Sequence, residues 1–254
     1  MKFKEKITVN KYLYFACFLL LIACQSCLTL EEKVDFYTPT SGRMTLQFGF
    51  FEGIENLDGA LGSKKDSTAS TGNTISNEID KTDDSFISKV KKSLYKYSIE
   101  CAKIDGISEI KIDTTELRYR IGMDFENINA LNLSMNKFIV IADDIFDFDD
   151  TLKGSKPQEI IKFYKVGNQM TYRSTESLLS FLIDSKKIKE SSLSMGDVLM
   201  KDSKYTVMLN FPEKISSVKN KHSKILYDFK GVSWEIGLLD VFRQKSDMSN
   251  EIYY

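Results

Sequence analysis

Apolar and polar residues alternate one for one early in the chain. Val34 and Phe36 alternate with Asp35 and Tyr37, and after a Pro39-Thr40-Ser41-Gly42 turn, Met44, Leu46, Phe48 and Phe50 recur at every second position. Period two is the mark of strands with one buried face, so this stretch predicts a hairpin. Beyond it the pattern lapses. Residues 59–77 are mostly Ser, Thr, Gly, Lys and Asn, too polar to bury the surface that would offset ordering entropy, and predict a flexible loop.

The period then changes to that of a helix. Phe86, Val90, Leu94, Tyr97 and Cys101 share one helical face, with Asp83-Asp84-Ser85 as cap candidates and Gly106 as a stop. A second hairpin follows. Ile110 and Ile112 form one arm, Asp113-Thr114-Thr115 the turn, and Leu117, Tyr119, Ile121, Met123 and Phe125 the other arm. Ile128, Leu131, Met135 and Phe138 predict a second helix. A third hairpin is expected from Ile160–Val166 and Met170–Arg173 around Gly167-Asn168, and a third helix from Leu178, Leu179, Leu182 and Ile183 with Ser174 as its cap. The C-terminal part reads as strand again. Tyr205, Val207, Leu209 and Phe211 alternate up to Pro212, and Ile225, Tyr227 and Phe229 are expected to pair across Lys230-Gly231 with Val232, Trp234 and Ile236. Hairpins alternating with helices predict an α+β fold: antiparallel sheets built from hairpins, with about three helices on one face.

The N-terminus follows neither period. Lys2, Lys4, Lys6 and Lys11 precede twelve uncharged residues, Tyr12 to Ala23. A membrane-spanning helix needs about 20 apolar residues, so this run fits the apolar region of a signal peptide instead. Leu21-Ile22-Ala23-Cys24 resembles a lipobox, which implies cleavage before Cys24 and acylation of its thiol. Several acyl chains anchor a protein stably where a single one holds it marginally. The expected organisation is a signal peptide at 1–23, a lipidated tether at 24–32 and one α+β domain at 33–254. Gln25 follows the cysteine and, by the bacterial sorting rules this pattern resembles, points to the outer membrane. Whether the domain faces the periplasm or the cell surface stays open.

Composition changes this picture little. The chain has 254 residues, 42% hydrophobic and 28% charged, with a net charge of −1. The first 23 residues carry four Lys and one Glu, so the remainder stands at −4. No concentrated basic surface is implied, which argues against nucleic acid as a partner. After loss of Cys17 with the signal peptide, Cys27 and Cys101 remain, and an oxidising envelope permits a bridge between them. Cys101 on an apolar helix face also reads as a buried structural thiol.

Catalytic patterns are sparse. The one histidine, His222, stands in the polar segment Asn220-Lys221-His222-Ser223 and reads as a solvated loop residue. No nucleophile elbow, phosphate loop or dinucleotide fingerprint is present. The acidic run Asp143-Asp144-Ile145-Phe146-Asp147-Phe148-Asp149-Asp150 could offer oxygen ligands to calcium, but lacks the Gly and distant Glu of an EF-hand loop. It reads as a solvated acidic loop beside a packed edge. Lys214, Lys219, Lys221 and Lys224 form a small basic patch. No cofactor is expected, no catalytic residue is assigned, and Cys24 is the sole functional residue.

Glu31-Glu32-Lys33-Val34-Asp35-Phe36 with Ser41-Gly42-Arg43-Met44, then YRIGMDFENIN from Tyr119 and YTVMLNFPEKISSV from Tyr205, resemble uncharacterised lipoproteins of Bacteroidetes-type bacteria. Thr40 stands where a Gly is more usual. The resemblance implies a lipid-anchored envelope domain and transfers no activity or site beyond the lipidated cysteine. Two functions fit these features. One is a non-catalytic binding or assembly subunit, with membrane lipid and another envelope protein as partners. The other is a glycan hydrolase using paired carboxylates.

Overall fold

Strand β1 (Leu28–Phe36) and strand β2 (Gly42–Phe50) form the first hairpin, with Val34 opposite Met44. The computed structural model of the chain describes residues 28–50, 86–115, 118–146, 159–174, 203–242 and 248–254. Strand therefore begins at Leu28, inside the stretch expected to be tether. Cys24, Cys27, the 59–77 loop, the helix expected around 178–183 and residues 147–150 of the acidic run all lie outside the described residues.

Helix α1 (Phe86–Cys101) buries Val90, Leu94, Tyr97 and Cys101, the face its spacing predicts. Gly106 follows it at a φ of +84°, a conformation that costs a side-chain-bearing residue about 1–2 kcal/mol. Strands β3 (Ile107–Thr114) and β4 (Arg118–Phe125) make the next hairpin, and β4 alternates buried apolar residues with exposed Arg118 and Arg120. Helix α2 (Ile128–Phe146) starts on an Asn cap: the Asn127 side-chain oxygen accepts from the Ala130 N–H at 2.9 Å. Leu131, Met135 and Phe138 are buried beneath it, and Phe138 meets Phe48 and Tyr97 at ring-centroid distances of 5.8 and 5.4 Å.

The remaining elements are β5 (Tyr164–Gly167), β6 (Met170–Arg173), β7 (Lys204–Asn210), β8 (Ser217–Val218), β9 (Lys224–Ile225), β10 (Gly231–Gly237), the short helix α3 (Leu238–Phe242) and β11 (Asn250–Tyr253). Two sheets result. The larger has the order β3-β4-β2-β1-β7-β10-β9 and the smaller β5-β6-β11-β8. Among the described residues all strand pairs are antiparallel except β1 with β7.

The fold is mixed α+β, as expected, but it departs from the expected assembly in two ways. The sheets are not a run of hairpins: β1 joins β7 in parallel across the sequence, and β11 is inserted between β6 and β8. Two long helices, not three, occur among the described residues, and α3 spans five residues.

One face of the large sheet carries the core. Val34, Leu46, Ile121, Val207 and Val232 all point into it and none is measurably exposed. Each such side chain contributes about 1.5–3 kcal/mol by leaving water. Helices α1 and α2 cover the β4–β2 half of this face. The small sheet covers the β1–β7 half, as the contacts of Glu32 and Phe36 with Tyr164 show. The opposite face is polar, with ion pairs Lys33–Asp35 at 2.9 Å and Arg43–Asp124 at 2.6 Å.

Candidate functional site

Glu32 lies on β1 at a core-facing position, since it shares parity with Leu30, Val34 and Phe36. Its carboxylate is fully buried and accepts two hydrogen bonds from Arg173 of β6, from Nε at 3.1 Å and Nη2 at 3.0 Å. The Tyr164 hydroxyl donates to it at 2.5 Å, and the Tyr205 hydroxyl donates to its other oxygen. Arg173 is also covered by the Phe163 and Tyr164 rings and donates to the Ser174 carbonyl at 2.9 Å. Burial opposes the charge on Arg173, but the Glu32 carboxylate outweighs it and holds the guanidinium firmly protonated. Burial and the same carboxylate push the Tyr164 hydroxyl well above the ordinary tyrosine value. Every member is satisfied inside the protein, so this cluster joins the two sheets and offers no open group for chemistry.

Helix α2 adds a second joint. The Asn132 amide both donates to the Tyr164 carbonyl (2.9 Å) and accepts from the Tyr164 N–H (2.8 Å). One turn later, Asn136 does the same for Ile161, at 2.8 and 2.9 Å. The pair imitates a strand ladder and fixes the start of the small sheet.

The two sheets then part. The chain leaves the small sheet at β8 and enters the large one at β9, crossing through residues 219–223. Asn220 pins the crossing: its N–H donates to the Asn250 Oδ1 at 3.0 Å, its Nδ2 donates to the Ser249 carbonyl at 2.9 Å, and its Oδ1 accepts from the His222 N–H at 2.9 Å. Asn250 Nδ2 closes the loop on the Ser223 hydroxyl at 2.8 Å. Strand β10 meanwhile runs on past the end of β9, whose pairing with it covers only Val232 and Ser233. A groove of about 590 Å³ occupies the fork, lined by Tyr172, Lys221, His222, Trp234, Glu235 and Asp240 among others. That volume falls within the range of small-ligand sites.

The groove has three electrostatic features. Glu251 is paired with Lys219 at 2.7 Å and accepts from the Tyr253 hydroxyl at 2.5 Å, and these contacts hold its carboxyl below the ordinary value. Glu235 is paired with Lys204 at 2.7 Å. Trp234 is 2% exposed, and its indole Nε1–H is buried with no hydrogen-bond partner. Leaving such a donor unsatisfied costs about 1–3 kcal/mol.

The residues singled out from the sequence fall unevenly around this groove. His222 is exposed, as expected of a polar turn, yet stands on the groove's rim. Lys219 and Lys221 line it, Lys224 lies on neighbouring β9, and Lys214 lies apart, beyond the end of β7. Cys101 is a free, buried thiol, and burial pushes its pKa up to about 12. Among the described residues no group of three or more His, Cys, Asp or Glu side chains is arranged to hold a metal ion. The sequence reading missed Glu32, Arg173 and the indole donor. The parity of Glu32 with its apolar neighbours was the available signal for the first. No family model, no curated protein and no solved structure matches the chain.

Proposed function

We propose that the chain is a lipoprotein of the cell envelope, anchored through acylated Cys24, that works as a non-catalytic binding or assembly subunit. The observation that carries this reading is the state of the groove. Two of its carboxylates, Glu235 and Glu251, are neutralised by lysines, and that of Glu251 is lowered. A glycan hydrolase needs the reverse, a carboxyl raised so that it can donate a proton. The groove also holds a buried indole donor without an acceptor, which suits recognition rather than turnover. The membrane part of the reading rests on the lipobox. Among the described residues no helix is long and apolar enough to cross a membrane.

Cross-linking in intact cells, followed by mass spectrometry, tests the reading. The expected result is one reproducible envelope neighbour joined through lysines around the fork. Absence of any reproducible neighbour, or hydrolysis of envelope glycan by the purified chain, overturns it.

A further inference from the structure

The β9-side edge of β10 has a defined hydrogen-bonding parity. Leu226 N–H donates to the Gly231 carbonyl at 2.7 Å, so Gly231 faces the β9 side. Leu238 N–H donates to Ser203 O at 2.8 Å, so the even-numbered positions face β7. In an antiparallel ladder both backbone groups of a residue face one neighbour and the direction alternates. Ser233 and Glu235 therefore face the β9 side, and so does the Gly237 N–H. Ser233 is paired with Lys224, but beyond it β9 has left the sheet. Among the described residues no strand pairs with β10 on this side from Trp234 to Gly237.

We propose that this fork takes an extended peptide segment bearing a carboxylate, which adds as a short strand to β10 at Trp234–Gly237. The inference rests on the binding reading above and names the class of ligand. Strand addition fits because the edge offers ladder groups of a fixed parity, which a peptide backbone matches and a compact small molecule does not. A peptide carbonyl also supplies the acceptor that the Trp234 indole lacks. A carboxylate at the Ser233 end of the segment follows from the lysines there, while Asp240 beside Gly237 disfavours one at the other end. Lys219 is engaged by Glu251, but Lys221 and Lys224, exposed on the crossing and on β9, have no ion-pair partner among the described residues. They flank the place where an added strand would lie.

The chain contains one tryptophan, so indole fluorescence and a single indole N–H resonance both report on this groove. The test uses the lipidated chain in nanodiscs and a displayed library of random octapeptides. The expected result is selection of peptides rich in Asp or Glu that shift the indole resonance and protect the Glu235 and Gly237 amides from exchange. Glu235→Pro removes a donor that faces the groove and leaves the β7 ladder intact, as edge prolines do. It should weaken the selected peptides by about tenfold or more. Lys221→Glu, an exposed change, should weaken acidic peptides and spare neutral ones. Failure to select any peptide, selected peptides that leave the indole unmoved, or affinities untouched by Glu235→Pro each overturn the inference. So does a chitooligosaccharide that shifts the indole equally in both variants. A neighbour cross-linked in cells through another face, with no peptide at the fork, would sink this inference and leave the binding reading standing.

Discussion

Glu32 and Arg173 are charges inside a core, and their energetics are asymmetric. Removing one partner of a buried pair strands the other and costs about 3–5 kcal/mol, whereas replacing both with apolar residues is often neutral. Arg173→Met should therefore lower stability by about 3–5 kcal/mol in urea unfolding. Glu32→Leu combined with Arg173→Met should recover most of that loss. Additive losses in the double variant would show that the pair itself stabilises the fold. At Cys101 the relevant variable is pH. Its folded pKa of about 12 lies above the ordinary thiol value of 9.0. A raised folded pKa means the contribution is complete below pH 9 and is lost as pH climbs toward 12. Tyr164, raised by burial and Glu32, has the same sign. Stability should fall across this window, and Cys101→Ala should flatten the early part of the fall, as followed by melting temperature against pH. With Cys17, Cys24 and Cys27 changed to serine, Cys101 should also resist thiol reagents until the chain unfolds. Sequence shows single residues poorly where they break the pattern. Glu32 sits on the apolar parity of β1, but an acid beside Glu31 and Lys33 reads as solvated until Arg173, 141 positions away, is placed beside it.

At the scale of elements, the pattern was legible where local periodicity and burial agree. Strands β2 and β4 and the buried faces of α1 and α2 fall where alternation and helical spacing put them. The C-terminal hairpin does not. Ile225, Tyr227 and Phe229 alternate as a strand would, but pairing ends at Ile225, and Tyr227 and Phe229 are exposed. Phe229 has a φ of +59°, and its carbonyl accepts from the Ile215 N–H at 2.6 Å, so the segment turns over the end of β7 instead of extending. A tertiary backbone bond outweighed an apolar pattern. The clasp from α2 to β5 was equally hidden, because asparagines at helical spacing do not announce a strand partner. Asn132→Leu should orphan the buried N–H and C=O of Tyr164, at about 1–3 kcal/mol for each group left unsatisfied. Asn136→Leu, in a less buried clasp, should cost less. Urea midpoints at unchanged slope will rank the two, and an equal or reversed order would mean that the clasps do not act as the geometry implies.

For the whole molecule, class was readable and topology was not. Alternating hairpins and helices specify α+β, but nothing local says that β1 pairs in parallel with β7, or that β11 sits between β6 and β8. Those pairings join positions as far apart as Asp35 and Asn210, and such long loops make folding slow. The proposed anchor belongs to this scale too. Cys24→Ala should move the chain from the membrane fraction to the soluble fraction or leave it unprocessed, as shown by fractionation and fatty-acid labelling. An unchanged, processed membrane fraction would remove Cys24 from the account.

Strand β1 begins four residues after that cysteine, a span of at most about 14 Å when fully extended. Thr29 lies in register with Lys204, and Lys204 with Gly237, so the fork opens at the same end of the sheet as the leash. With Cys24 acylated, the groove would ride just above the lipid headgroups. A ligand tethered in the same bilayer would then meet it by a two-dimensional search, at effective concentrations that reach about the millimolar range for short tethers. Contacts too weak to survive in free solution would be enough to hold such a pair together.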